Sequence, residues 1–551
     1  MRAYLGVADC WLCGTTILLS ELSPPASAAG RAAPGPARTP IRRPHMPRPA
    51  TPAAPPVPPA APAPPAPRHR AAVASYGSGG WLSPWLVSLI VHLILITLLG
   101  LIRFPDAEGP TIVLSAAVAR DRAPGDEPIR LADAPDAAFD LPVPNVDLDR
   151  PEVREMVVRA DQEARKLRVV DATDSFARPL QEVRSQVQQP RTGRDMILSR
   201  DPRLRAEIVK REGGTTLTEA AVARGLGWLE RHQAENGSWS LGEFRRDAGC
   251  RCGDAGRTDN REVATALALL PFLGAGQTHL NGYFKPTVSR GLRWLIAQQL
   301  DNGDLRGGKS QTPGMYGHGQ AALVLCEAYL MTGDESLRQP AQKAVDFIVE
   351  AQYTDGGWRY APAQETSPRA RGDTSVFGWQ LMALRSAQAA GLEVPPETME
   401  QAAQYLDTVA VDDGARYGYQ RGRGVSPSMT AEGLLCRVYL GWGRDRPGLR
   451  FGLDWLLENA PPERDAVNIY YWYYATQLFH HYGGPRWDRW NRVMRNRLIE
   501  AQETKGHAAG SWRPKAGHDE AGGRLYMTAL ATCTLEVYYR HLPIFRALEL
   551  K

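Results

Sequence analysis

From residue 215 onward the apolar positions follow two alternating rhythms. In one kind of segment they recur at helical spacing on a single face, with charges opposite. GLGWL at Gly225, GLRWL at Gly291 and GLDWL at Gly452 are near copies of this kind, and VDFIV at Val345, AQYLD at Ala403 and NRLIE at Asn496 are weaker ones. The other kind is apolar and rich in small residues almost all round, as in VATALALLPFLGAG, GQAALVLCEAYLMTG and IYYWYYATQLFHHYGG. A one-sided pattern predicts a helix with one wet face, and an all-round pattern predicts a helix buried on both faces. Most of the apolar segments end at or near Gly, a helix-stop signal. Six alternations at roughly 50 residues each predict six helical hairpins, with apolar helices inside and amphipathic helices outside. The pattern alone does not close a ring, because a superhelical solenoid shares it.

The chain before residue 215 has a different texture. Residues 1–80 are mostly Pro, Ala, Arg and small polar residues, which cannot bury enough apolar area to offset their ordering entropy. A disordered arm is expected there. A short apolar run lies at residues 11–19, but Asp9, Glu21 and the lack of a basic start argue against a signal peptide. Residues 81–103 differ again. WLSPWLVSLIVHLILITLLGLI supplies about 20 apolar positions, enough for one membrane crossing, with Trp81 and Trp85 at one end and Arg103 at the other. Residues 22–80 carry seven Arg and no acidic residue, whereas residues 103–150 carry five Arg and ten Asp or Glu. The positive-inside rule therefore puts the N-terminus in the cytoplasm and the C-terminal domain outside it. Residues 104–214 show no sustained period and are expected to be an extended, largely disordered linker, with a charged helix at 152–167. The formal net charge of +5 is too mild for a protein driven by nucleic acid.

Two motifs carry a resemblance. Gln233-AEN-Gly237-Ser-Trp239 and Gln352-YTD-Gly356-Gly-Trp358 each follow an amphipathic helix. A third copy, Gln299-LDN-Gly303-Asp-Leu305, has Leu in place of Trp, and at Gly510-Ser-Trp512 the glutamine, Gln502, is displaced by an insertion. Gly permits a tight turn, Trp packs a large apolar area over the helix end, and the Gln amide can bond groups that a helix terminus leaves unpaired. The pattern resembles the QW repeat of the terpenoid cyclase and protein prenyltransferase superfamily, and the chain is similar to membrane-anchored bacterial proteins with prenyltransferase and squalene-oxidase repeats. The resemblance covers residues 215–550 and implies an all-α fold, an (α/α)6 toroid. Ser88 and His92, four apart in the apolar span, resemble the anchor of TonB-type energy-transducing proteins, which implies a motor partner in the membrane.

In such a toroid the inner-helix N-termini converge on one mouth of the central cavity, whose dipole character favours anionic or electron-rich ligands. Asp373, His318 and Tyr316 are the candidate catalytic residues there. Arg371, Trp379, Tyr471 and Tyr526 are the candidate substrate-binding residues. Asp259, Arg261, Ser426, Asn468, Tyr470 and Arg524 complete the polar ring. Asp373 also stands where a helix N-cap belongs. The cyclases of the superfamily protonate with a D-x-D-D-T-A motif. Ala370-Arg371-Gly372-Asp373-Thr374-Ser375 keeps only the last Asp and the Thr, with Gly372 at the donor's position. The prenyltransferases hold zinc with Asp, Cys and His, and no D-x-C pair opens an inner helix here. Cys250-Arg-Cys252 supplies two of the four ligands zinc wants, or a pair open to oxidation outside the cytoplasm. No metal or cofactor is expected. A carbohydrate-active barrel needs two carboxylates, and only Asp259 and Asp373 are candidates. The expectation is an extracytoplasmic module for an apolar or cell-envelope ligand. The alternative is a cyclase- or prenyltransferase-like enzyme acting on an isoprenoid or other apolar substrate.

Overall fold

Helices of the two predicted kinds alternate through the domain. The computed structural model describes residues 7–9, 16–18, 151–168, 180–188, 193–258, 260–307, 314–464, 467–515 and 518–545. The expected membrane span at 81–103, residues 104–150, Asp259 and almost all of the Pro-rich arm lie outside the described residues. Among the described residues no helix is long and apolar enough to cross a membrane. Val7–Asp9 (β1) pairs antiparallel with Thr16–Leu18 (β2).

Three short helices come first: α1 (Pro151–Arg165), α2 (Leu180–Gln188) and α3 (Arg205–Arg211). Six hairpins follow. The outer helices are α4 (Thr216–Arg231), α6 (Lys285–Ala297), α8 (Arg338–Glu350), α10 (Pro396–Val409), α12 (Pro447–Asn459) and α14 (Gly484–Ala501). The inner helices are α5 (Arg261–Gly274), α7 (Met315–Thr332), α9 (Thr374–Ala389), α11 (Pro427–Tyr439), α13 (Ile469–Tyr482) and α15 (His518–Leu535), the last kinked at Gly523. Each inner helix packs on the next, and α15 packs back on α5, so the ring is closed. The solenoid alternative is thereby excluded, and the fold is an all-α (α/α)6 toroid. Every residue of α13 is buried, whereas α14 buries only one stripe, Trp487, Trp490, Asn491, Met494 and Leu498.

The Q-x-x-x-G-x-W loops explain how successive hairpins are held. The Gln233 amide donates to Gly237 O (2.9 Å) in its own loop and to Thr287 O (3.0 Å) near the start of the next outer helix. Gln299 does the same to Gly303 and Pro340, and Gln352 to Gly356 and Thr398. Gln502 bonds Gly510 O (2.9 Å) and Ala221 O (2.8 Å), which lies on α4, so the last copy fastens the sixth hairpin to the first. Gly237, Gly303, Gly356 and Gly510 all have φ between 83° and 97°. A Cβ at any of them would collide with a backbone carbonyl of the next outer helix. The indoles of Trp239, Trp358 and Trp512 each donate at 2.7 Å to a carbonyl in the last turn of the preceding outer helix. Each buried Trp removes about 200 Å² from water, roughly 5 kcal/mol of transfer free energy before entropic costs. The degenerate fourth copy forms a small hairpin, β3 (Ala410–Val411) with β4 (Arg416–Tyr417), and Tyr417 takes the place of the Trp.

The stretch before the ring differs from the expected spacer. α1 packs along α4, burying Ala160, Ala164 and Leu167, and the following segments bury Val183, Val187, Leu204 and Ile208. Arg200 reaches into the ring to form a two-pronged pair with Glu327 of α7 at 2.9 and 3.0 Å. The apolar stripe is only a few residues per helix and is diluted by charge, so it shows no readable period.

Candidate functional site

At the inner-helix N-termini, the polar ring read from the sequence is engaged mainly in capping and ion pairing. Asp373, Ser426 and Asn468 are the N-caps of α9, α11 and α13, and Asn260 caps α5. Arg261 pairs with Asp247 and Glu243, and Arg524 with Asp254. Arg371 is exposed and bonds the neighbouring Ala370 carbonyl.

Asp373 does more than cap. Its Oδ1 accepts from the Val376 amide (3.1 Å) and the Ser375 hydroxyl (2.8 Å), and its Oδ2 accepts from Tyr419 (3.1 Å), with Arg359 at 3.8 Å. Because Ser375 donates to Asp373, Tyr316 must donate to Ser375 in their 2.5 Å contact. Tyr360 donates to Tyr419 by the same logic, at 2.7 Å. Tyr316 and Asp373 are thus joined through one serine. Beside them is Glu432 of α11, fully buried, accepting from Gly378 N (3.1 Å) and Tyr470 (2.7 Å). Burial pushes its carboxyl well above the ordinary range, and the nearby Asp373 adds to this.

His318 stands apart from this network. Its Nδ1 accepts from Leu305 N (3.1 Å) and its Nε2 donates to Ala344 O (2.9 Å), so both nitrogens serve backbone groups. Leu305 holds the Trp position of its copy. In three other copies the same backbone amide, of Trp239, Tyr417 and Trp512, donates to Thr265, Thr430 and Thr528. His318 is the second hairpin's counterpart of those threonines. Burial pushes its imidazole down to about 4.

The middle of the ring is filled with rings. Trp379 stacks on Tyr473 (5.2 Å, 15°) and meets Tyr474 edge-on, and Tyr470 meets Tyr474 in turn. Tyr471 points outward, against Trp490, and donates to Ala460 O (3.0 Å). The Tyr526 ring lies against Gly522.

A cavity of about 700 Å³ opens at the opposite end, among the inner-helix C-termini. Leu323, Leu330, Met382, Met399 and Val438 form its apolar wall, Tyr439 and Tyr473 add rings, and Arg200, Arg385, Arg540, His481, His541 and Glu327 supply charge and polarity. Glu327 pairs with Arg200 (2.9 Å) and Arg540 (3.4 Å), and Arg540 also pairs with Glu536 (3.1 Å). Burial pushes the Glu327 carboxyl up, but the two guanidiniums outweigh it and hold it below its ordinary value. Burial raises the Glu536 carboxyl to about 8 despite Arg540. Arg385, at the rim, bonds Gln388 (2.7 Å) and pairs with no carboxylate among the described residues. Glu327, Glu432 and Glu536 are absent from the site expected from sequence. Their signal is a single acid inside an otherwise apolar helical stretch, which a buried helix tolerates only with a partner or a proton.

No family model matches the chain, and no curated protein matches it. Similar solved structures include the alpha-1,6-mannanase GH76A of Salegentibacter sp. HEL1_6, studied as an inactive variant with alpha-1,6-mannotriose, at 10% identity and TM-score 0.42, covering 59% of this chain and 99% of that one. An alpha-amylase from Clostridium perfringens is similar at 10% identity and TM-score 0.41, covering 58% and 98%. The type II terpene cyclase MstE from Scytonema is similar at 12% identity and TM-score 0.40, covering 60% and 99%. Likenesses at this level carry no inference about substrate.

Proposed function

We propose that this chain is a membrane-held toroid that binds an amphipathic ligand, with an apolar body and an anionic head, at the C-terminal end of its inner helices. The observation that carries the reading is the 700 Å³ cavity, in which an apolar wall meets three guanidiniums and one ionised carboxylate. That leaves a net positive floor and rim beneath an apolar lining, which suits a carboxylate or phosphate on a hydrocarbon body. Asp373, Tyr316 and His318 then hold the ring together, and Arg371, Trp379, Tyr471 and Tyr526 do not touch the ligand.

Native mass spectrometry of the detergent-purified full chain tests this. The wild type is expected to retain an anionic apolar ligand, and Ser386→Trp and Arg385→Glu to lose it at an unchanged melting temperature. A ligand retained in both variants overturns the reading. So does a wild type that carries none and whose melting temperature is not raised by added fatty acid or phospholipid.

Residues 81–103 provide the single crossing in this reading, with the toroid outside the cytoplasm. Protease added to intact spheroplasts should digest the toroid, and full protection sinks that topology. A TonB-type motor engaging Ser88 and His92 belongs to the same proposal. Unchanged co-purification of partners with His92→Ala removes it.

An enzyme acting on an apolar substrate is the second reading. The observation in its favour is Glu432, a fully buried carboxyl at the heart of the ring whose hold on a proton burial strengthens. Product formed from an isoprenoid by the wild type and lost in Glu432→Gln would establish it.

A further inference from the structure

His232 is the residue that ends α4, and its ring is fully buried. It stacks on Trp228 (centroids 3.9 Å) and meets Phe244 edge-on. Its Nδ1 sits 2.7 Å from the Trp228 carbonyl, which only an N–H can satisfy, so Nε2 carries the lone pair. That lone pair faces Cys250 Sγ at 3.3 Å. Two residues on, Cys252 Sγ lies 3.4 Å from Nδ1 of His507. The rings of His232 and His507 are 4.9 Å apart. All four ligand atoms lie within 4.8 Å of one another.

We infer that His232 Nε2, Cys250 Sγ, Cys252 Sγ and His507 Nδ1 form a structural zinc site. Zn–S bonds of about 2.3 Å and Zn–N bonds of about 2.0–2.1 Å give a tetrahedron with edges of roughly 3.3–3.8 Å. The two nitrogen–sulfur contacts already have that length. Two thiolates neutralise the dication, and two neutral imidazoles complete the set that borderline-soft zinc prefers. The Nδ1–H bond to the Trp228 carbonyl fixes the tautomer and aims the ring, as the outer hydrogen bond of a metal-bound histidine does.

The place of the site in the fold supplies its purpose. In the three copies at Gln233, Gln299 and Gln352 the Gln and Gly of the repeat loop are four residues apart, whereas Gln502 and Gly510 are eight apart. The extra residues carry His507. The cysteines lie in the loop of the first hairpin, so the four ligands come from the two hairpins that meet where the ring closes. The same seam is crossed by Gln502 to Ala221, Arg231 to Ala509 and Arg524 to Asp254. Zinc would fasten the ends of the toroid. The C-x-C pair is legible in the sequence but neither histidine is, because one lies 18 residues before Cys250 and the other 255 after Cys252.

Elemental analysis of the reduced full-length protein is expected to give about one zinc per chain, lost in Cys252→Ser. Cobalt in its place should show the visible bands of a tetrahedral, thiolate-ligated ion. His507 is exposed, so His507→Ala should fold with an unchanged circular dichroism spectrum and bind zinc at least about 100-fold more weakly. Chelation should lower the melting temperature of the wild type but not of Cys252→Ser. Reduced protein that binds neither zinc nor cobalt overturns the inference. So does a Cys250–Cys252 disulfide found in protein purified without reductant that takes up no metal after reduction.

Discussion

The clearest case of one residue with two readings is His318. By type and place it suggests acid–base chemistry, but both its nitrogens bond backbone groups, at 3.1 and 2.9 Å. Protonation would put an N–H at Nδ1 against the Leu305 N–H, so the fold requires the neutral ring. His318→Ala leaves a buried amide and a buried carbonyl unpaired, at a cost of about 2–4 kcal/mol at neutral pH. The pH dependence has a definite sign. The folded-state value, about 4, lies below the unfolded 6.5, so the contribution is complete above pH 6.5 and is lost as pH falls toward 4. Thermal melts of wild type and variant should differ most at pH 7 and converge toward pH 4. A constant gap across that range would show that the hydrogen bonds to neutral imidazole are not what the residue contributes. Its role was hidden from sequence because it depends on which backbone amide the ring meets. The Leu305 variant of the repeat and His318, 13 residues later, explain each other only in three dimensions.

At the scale of helices and loops, much was legible. The roles of Gln, Gly and Trp in the repeat follow from local chemistry, and the structure uses each as that chemistry requires. What the sequence does not carry is the second acceptor of each Gln amide, because it belongs to the next hairpin. For Gln502 that acceptor is on α4, nearly the whole ring away in sequence. Gln352→Leu deletes two bonds from its amide, whereas Gln502→Leu deletes the matching two and also the bond its Oε1 accepts from Arg224 Nε (2.9 Å), so each should cost about 1–3 kcal/mol, with Gln502→Leu the larger. Their effects on local opening should not match. Gln502→Leu should speed amide exchange in α4 and α14 together, since it loosens a junction between segments far apart in sequence. Gln352→Leu should be confined to α8 and α10. Equal and local patterns in both would mean that the seam is no weaker than any other junction.

For the whole molecule, the open question is where the folded unit starts. Periodicity marks residue 215, because the repeats begin there and the preceding stripe is short and diluted by charge. Packing marks an earlier point. Arg200 and Glu327 are a bidentate pair with side chains only 2% and 3% exposed, and Arg540 bonds the same carboxylate. Removing Arg200 leaves Glu327 with Arg540 alone in a nearly dry site, and losing one partner of such a pair typically costs about 3–5 kcal/mol. Leu204 and Ile208, both fully buried, would leave apolar surface bare on the same side. A chain starting at residue 142 should therefore melt cooperatively, at a temperature close to that of the full protein. One starting at 215 should melt at least 10 °C lower or be recovered only as aggregate. Arg200→Met separates the charge from the segment, since it removes the guanidinium and leaves the apolar contacts of residues 204 and 208. If the 215 chain melted like the longer one, the toroid would be self-sufficient, and the buried Arg200–Glu327 pair would have no part in holding it.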